Sequence, residues 1–168
     1  MVYTFKFISN EEPDFELDVK IMGSQTFADL HNIIQTTLNF DKMLLASFFV
    51  SNANWEKLKE ITLMDMGEGG VLMENAKIAD SYNKKGQRVM YVFDYFAERL
   101  LFGSVVEIVD GDVADSPCVT KLDGHIPPQL APGNDVFEDD ELFSGEEMTS
   151  DDFDPDELSD DMEGFEEY

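Results

Sequence analysis

Basic residues, cysteines and long apolar runs are scarce in this sequence, and each scarcity excludes a class of protein. The chain has 11 Lys and Arg against 37 Asp and Glu, which gives a formal net charge of −26. Direct binding to nucleic acid or to an anionic membrane needs clustered positive charge, so we expect neither. The single cysteine excludes an intrachain disulfide. The longest apolar run, residues 43–50, is eight residues long and too short to span a bilayer.

The first residues also lack the basic and apolar regions of a secretory signal peptide. Together with the shortage of cysteine, this predicts a cytoplasmic protein. The sequence contains no repeat of the length that builds solenoids or propellers.

Positive charge is missing altogether from the end of the chain. No Lys or Arg follows Lys121, and residues 135–168, here called the acidic segment, contain 17 Asp or Glu among 34 residues. The acidic segment therefore carries −17, whereas residues 1–134 carry −9. Since a run of like charge opposes its own compaction, we predict a compact domain over residues 1–130 and a disordered interaction tail over residues 131–168.

Large apolar side chains are spaced among these acids, which a merely solubilising tail would not require. The sequence Asp-Pro-Asp-Glu at 154–157 is typical of a helix start. Leu158, Met162 and Phe165 follow at positions i, i+4 and i+7, on one face of the predicted helix. The predicted partner-binding residues are Phe137, Leu142, Phe143, Phe153, Asp154, Glu157, Leu158, Met162, Phe165 and Tyr168.

These patterns favour a non-enzymatic protein-binding role over chemistry. The partner would be a basic protein or the basic face of a larger complex, such as the transcription or translation machinery, and the tail could act as a nucleic-acid mimic. A solubilising tail and a cation-binding tract are the alternatives for this segment. The second hypothesis for the whole chain is an enzyme or small-ligand domain with a pocket beside the sheet, using His31, Asp94 or Tyr95.

Candidate catalytic and metal-binding residues are sparse, so we expect no cofactor and no metal. His31 borders the apolar stripe of a predicted helix and is interpreted as a structural histidine. Cys118 and His125 are residues of the types that bind zinc, but two ligands are too few for a zinc site. The acids at 110, 112 and 115 lack the Gly and Glu that an EF-hand loop needs. Trp55 is either an exposed anchor or a core residue at a strand end.

Hydrophobic periodicity predicts an α+β domain with a mixed or antiparallel sheet and one main helix, in the order ββαββ(α)ββ. Alternating apolar residues over 3–7 and 15–21 predict a hairpin. The helix begins after Ser24 or Thr26 and carries an apolar stripe. After Asp110 the prolines predict an irregular segment.

Several segments together resemble one known family. They are Thr26–Gln35, Ser47–Phe49, Ile78–Asp80, Tyr91–Tyr95, Val105–Ile108, Pro117–Cys118, and Gly124 with Pro127 and Pro128. In this order and spacing they resemble the plasmid pRiA4b ORF-3-like family, also described as a transposon passenger protein, over about residues 1–130. The resemblance implies a fold; the family has no firmly assigned activity, and a mobile-element-derived protein without retained activity is a further alternative.

The chain departs from that family's pattern where the family is most polar. The family usually has Gly, Asp, Trp and His after its Tyr-Asp-Phe-like strand, whereas Phe96, Ala97, Arg99 and Leu101 occupy those places here. An acidic segment also replaces the glycine-rich closing motif. The resemblance therefore implies that this chain has the family's fold but lacks the polar residues that the family carries at these positions.

Overall fold

The computed structural model describes residues 1–65, 67 and 70–131, and these residues form one sheet of eight strands with two helices. The chain divides into two units, Met1–Asn134 and Asp135–Tyr168, and the described residues all lie in the first. The elements are β1 (Val2–Ser9), β2 (Glu16–Met22), α1 (Phe27–Leu38), β3 (Ser47–Ser51), β4 (Lys57–Thr62), β5 (Val71–Leu72), α2 (Ile78–Ser81), β6 (Arg88–Asp94), β7 (Arg99–Val109) and β8 (Cys118–Asp123).

The strand order in the sheet is β5-β4-β3-β6-β7-β1-β2-β8. Every neighbouring pair is antiparallel except β4 and β5, which are parallel, so the sheet is mixed. The hairpin β1–β2 is not adjacent to β3, the next strand in the sequence. After β2 the chain passes through α1 to β3, and β6 and β7 lie between β3 and β1 in the sheet.

Helix α1 starts where its sequence provides a cap. The Thr26 hydroxyl accepts a hydrogen bond from the Asp29 backbone N–H, and the Asp29 carboxylate accepts one from the Thr26 N–H at 2.8 Å, which completes a capping box. The helix ends at Asn39, whose φ of 55° is the left-handed conformation common at helix ends. Its apolar stripe packs on the sheet, and the rings of Phe27 and Phe48 lie 5.3 Å apart.

The core lies between α1 and one face of the sheet. Alternate residues of each strand point into it, so Phe5 and Phe7 of β1 are fully buried. Gly103 is required opposite Phe7, since a Cβ at this position would come within 2.6 Å of the side chains of Phe7 and Val89. The register of the central strands therefore depends on a residue without a side chain.

The predicted α+β class, the mixed sheet and the single main helix are confirmed, and the predicted hairpin and helix lie where expected. The prediction of an irregular segment after residue 110 is wrong for Cys118–Asp123, which pairs with β2. This strand lies at the sheet edge and is largely exposed, so it lacks the apolar alternation that identifies a half-buried strand. None of the described helices has the length and apolar character to cross a membrane.

Candidate functional site

The predicted partner-binding residues all fall outside the residues that the structure describes. They are Phe137, Leu142, Phe143, Phe153, Asp154, Glu157, Leu158, Met162, Phe165 and Tyr168. Their role and the predicted disorder stay predictions. The structure does describe how the chain reaches residue 131, just before the acidic segment begins.

Residues 124–131, here called the strap, leave the end of β8 and are held by specific contacts. Gly124 has a φ of +76°, and a Cβ there would lie 2.1 Å from the Asp14 carbonyl oxygen, so the tight crossing requires glycine. Pro127 is buried. The Gln129 side-chain amide pairs with the backbone of Asp41, donating from Nε2 to the carbonyl at 3.0 Å and accepting from the N–H. The strap is thus attached to the loop after α1.

Arg99, the first residue of β7, attaches the strap from the other side. Its guanidinium donates a hydrogen bond to the Gln129 carbonyl at 3.1 Å and forms a bidentate ion pair with the Glu11 carboxylate. A third residue, Asp94, places its Oδ2 3.7 Å from Nη1 of Arg99. The hydrogen bonds and charge of Glu11 raise the pKa of Arg99, and its side chain is only 11% exposed. The arrangement positions a chain segment; it leaves no guanidinium edge open to a substrate.

His31 is buried, together with two other polar side chains, inside the core. The Tyr91 hydroxyl lies 2.9 Å from His31 Nδ1 and accepts a hydrogen bond from Gln35 Nε2 at 2.6 Å. The tyrosine proton can therefore be donated to His31. Burial lowers the pKa of His31 to about 4, with the charge of Lys42 as a smaller cause, and burial raises the pKa of Tyr91. At neutral pH His31 is a neutral acceptor, and its buried contacts support the structural role that the sequence interpretation gave it.

The three residues of the enzyme hypothesis have different partners in the fold. His31 contacts Tyr91 in the core, Asp94 contacts Arg99 and accepts from the Ala97 N–H, and the Tyr95 hydroxyl donates to Glu60 at 3.2 Å. Asp94 holds the turn between β6 and β7. These contacts support structural roles for His31 and Asp94.

One group of described residues has the types that bind metal ions. Glu12, Asp14 and His125 offer ligand atoms within 4.8 Å of one another. However, His125 Nδ1 and Asp14 Oδ2 already form an exposed pair at 2.7 Å, which raises the pKa of His125 and lowers that of Asp14. Cys118 is at the opposite end of β8, roughly 17 Å away along the strand, so it cannot join His125 in a zinc site or a catalytic pair.

Two of the surface hollows lined by described residues bear on a small-molecule site, and neither of these two encloses a small molecule. The hollow lined by Leu45, Met64 and Tyr95 has a volume of about 10 Å³, which is the space of one water. A wider cleft of about 540 Å³ is open to solvent between Met1, the 83–85 loop and residues 106–109.

Trp55 takes an intermediate position that neither sequence alternative described. It is half-buried at the β3–β4 turn with a φ of +63°, and its ring packs edge-on to Phe102 at 4.8 Å on the sheet face opposite α1. The Arg88 guanidinium covers the ring at 4.5 Å. Lys57 likewise lies 4.4 Å from the ring of Phe49. Cation–π contacts thus shield aromatic surface that no helix covers.

Sequence reasoning did not identify the Arg99 contacts. Glu11 and Gln129, which accept hydrogen bonds from Arg99, are 88 and 30 positions away, so no local pattern reports them. The one available signal was the departure of Arg99 from the family pattern.

Comparison with known proteins assigns the chain to a family. The model of the plasmid pRiA4b ORF-3-like protein family matches residues 7–161. The chain belongs to this family. The match extends past residue 130, so the region shared with the pRiA4b ORF-3-like family includes much of the acidic segment.

A solved structure shares the fold of this pRiA4b ORF-3-like protein. It is the crystal structure of MM3350, a protein of unknown function from Methanosarcina mazei Go1, with a TM-score of 0.59 and 22% sequence identity. The similarity covers 72% of this chain and 68% of that chain. At this identity the likeness shows the fold alone. No curated protein matches the chain.

Proposed function

We propose that this protein is a non-enzymatic adaptor whose acidic segment binds a basic protein surface. The observation that carries the proposal is the composition of that segment, which has 17 acidic and nine large apolar side chains in 34 residues and no Lys or Arg. Charge of one sign steers and holds a partner of the opposite sign. The interspersed apolar side chains add contacts that discriminate one basic surface from another.

Residues 154–165 are the part of the segment best suited to specific recognition. An isolated helix of this length is marginal in water, so we expect the helix to form on the partner. Leu158, Met162 and Phe165 would then fill an apolar groove, and the flanking acids would face its basic rim.

The strap is compatible with this proposal because it holds the described chain up to residue 129 against the domain, and the acidic segment follows in the sequence. Gln129 is bonded to Asp41 and to Arg99, so the chain leaves the described domain at a fixed place.

The test is affinity capture from native lysate at increasing salt, with identification of bound proteins by mass spectrometry. The intact chain is compared with a chain ending at Asn134, with a variant whose acids at 135–168 are changed to Asn and Gln, and with the triple variant Leu158→Ser/Met162→Ser/Phe165→Ser. The triple variant keeps every charge and so separates apolar recognition from electrostatics.

We expect a basic protein that the intact chain retains at low salt and releases as salt rises. The first two variants lose it, and the triple variant binds it about tenfold more weakly, as expected for loss of a few anchor side chains. Capture of the same protein by the chain ending at Asn134 would show that the acidic segment is not the binding element.

A further inference from the structure

Several loops of the described domain converge at one end of the sheet. Ser47, the first residue of β3, pairs with Thr62 at the end of β4 and with Val92 near the end of β6. The loop before β3, the chain after β4 and the β6–β7 turn therefore emerge at the same end. The final residues of the strap join them through the contacts of Gln129 with Asp41 and Arg99.

This end, here called the end surface, exposes large apolar side chains. Met43 is 88% exposed, Phe96 91%, Met64 57% and Leu130 45%. With Tyr95, these are five of the eleven large apolar side chains that the described residues expose. Single exposed apolar residues are ordinary, but a concentration on neighbouring loops marks an interaction surface.

The loops that carry Met43 and Phe96 are held by hydrogen bonds within the domain. The Met43 N–H donates to the Asp41 carboxylate at 2.9 Å, and Asp41 in turn pairs with Gln129. Phe96 lies in a turn that the Asp94 carboxylate closes by accepting from the Ala97 N–H at 3.1 Å. A partner would therefore meet a preformed surface and would lose little entropy in ordering it.

The charges on this end are mostly negative. Asp41, Asp65 and Glu98 are exposed on the same loops, against one exposed base, Lys42. The charge of Arg99 is already paired with Glu11. An apolar centre with an acidic surround complements an apolar segment flanked by Lys or Arg.

We propose that the end surface is a second binding site, on the folded domain, for a basic amphipathic segment of a protein partner. Phe96 supplies the rigid anchor, and Met43 and Met64 adapt to the apolar side chains of that segment. Its Lys and Arg face Asp41, Asp65 and Glu98. The inference takes from the proposed function only the class of partner, because it rests on residues outside the acidic segment.

The test uses the full chain and two labelled peptides, one of Leu and Lys in an amphipathic pattern and one in which each Leu is replaced by Ser. Both peptides have the same charge, so the acidic segment attracts both. The difference between their affinities reports apolar recognition. It is measured by fluorescence anisotropy for the wild type, for Met43→Ser/Phe96→Ser, and for Leu58→Ser, a control that changes a side chain 64% exposed elsewhere, in β4.

We expect the double variant to reduce affinity for the Leu/Lys peptide about tenfold and to leave the Ser/Lys peptide unchanged, while Leu58→Ser changes neither. In methyl NMR spectra the Met43 and Met64 resonances should shift on peptide addition, and the buried Met90 should not. Unchanged affinity in the double variant would overturn the inference. Sedimentation velocity tests the alternative occupant: if the wild type self-associates, the double variant does not, and peptide affinity is unchanged, a second copy occupies the surface and the inference is overturned.

The two proposals fail separately in this design. If a variant that combines the neutralised acids of 135–168 with Leu158→Ser/Met162→Ser/Phe165→Ser still shows the Leu-dependent difference, the end surface acts alone. If that difference disappears with the acids and persists in Met43→Ser/Phe96→Ser, the apolar recognition belongs to the acidic segment and the end surface is not a site.

Discussion

Acidification should destabilise the fold through His31. The ordinary pKa of histidine is about 6.5, and burial lowers that of His31 to about 4. Between these values the unfolded chain binds a proton that the folded chain excludes, so the free energy of unfolding falls as pH decreases. The difference in pKa corresponds to about 3 kcal/mol once both states are protonated, and to about 2–3 kcal/mol at pH 4.5.

The measurement is urea denaturation at several pH values between about 7.5 and 4.5, for the wild type and for His31→Gln. Glutamine can still accept the hydrogen bond of Tyr91, but it does not titrate. Because the other ionisable groups are common to both chains, subtracting the two profiles removes the effect of lowering the large negative net charge. His31→Leu provides a second variant in case the glutamine packs poorly.

We expect the wild type to lose about 2–3 kcal/mol relative to the variants over this range, with most of the loss below pH 6.5. Above about pH 7.5 the difference between wild type and variant should be nearly constant, because His31 is then mostly neutral in both states. Parallel profiles down to pH 4.5 would refute the argument, because they would mean that His31 is protonated equally in the folded and unfolded states.

Three further predictions concern the stability of the domain. Tyr91→Phe should cost about 2–3 kcal/mol in urea denaturation, because it removes the buried hydroxyl that joins two side chains of α1. Gly124→Ala should lower the melting temperature by several degrees, whereas Gly111→Ala, also at positive φ but with open space around it, should lower it by clearly less; equal shifts would contradict the steric argument. Arg99→Lys should increase amide hydrogen exchange in residues 129–131 without unfolding the sheet, and unchanged exchange would show that the strap does not depend on Arg99.

The parts of the fold that the sequence predicts are those governed by local rules. Helix α1 was predictable because Thr26 and Asp29 form a cap across three positions and the apolar stripe repeats along one face. The hairpin β1–β2 was predictable because its alternation has a period of two. Such signals lie within a few residues of the structure that they specify.

The missed features depend on contacts distant in sequence. Strand β8 is an edge strand with four of its six residues exposed, so its pairing with β2 leaves little hydrophobic pattern. Strand β5 has only two residues, too few to show a pattern in the sequence. It is a strand because it pairs with Ile61 and Thr62 of β4. Trp55 could not be assigned because its partners, Phe102 and Arg88, belong to other strands.

The candidate sites divide in the same way. The acidic segment is recognisable from composition alone, since charge and apolar spacing are properties of the sequence. The end surface is not, because Met43, Met64 and Phe96 belong to three separate loops that only the strand pairing brings to one end. A hydrophobic residue in a loop says nothing about its neighbours until the topology is known.

The use of the basic side chains explains how a domain with a modest charge excess can present a negative surface. Lys6 and Lys121 both contact Glu16 at 2.6 Å, and Arg99 is paired with Glu11. The cationic groups of Lys57 and Arg88 lie over aromatic rings. Five of the eleven basic side chains are thus engaged within the domain. The acids of the described domain are less often in ion pairs than its bases, so both proposed sites require a partner that is basic. The same reasoning requires that salt weaken binding at both proposed sites, whereas a site held by apolar contacts alone would be nearly insensitive to it.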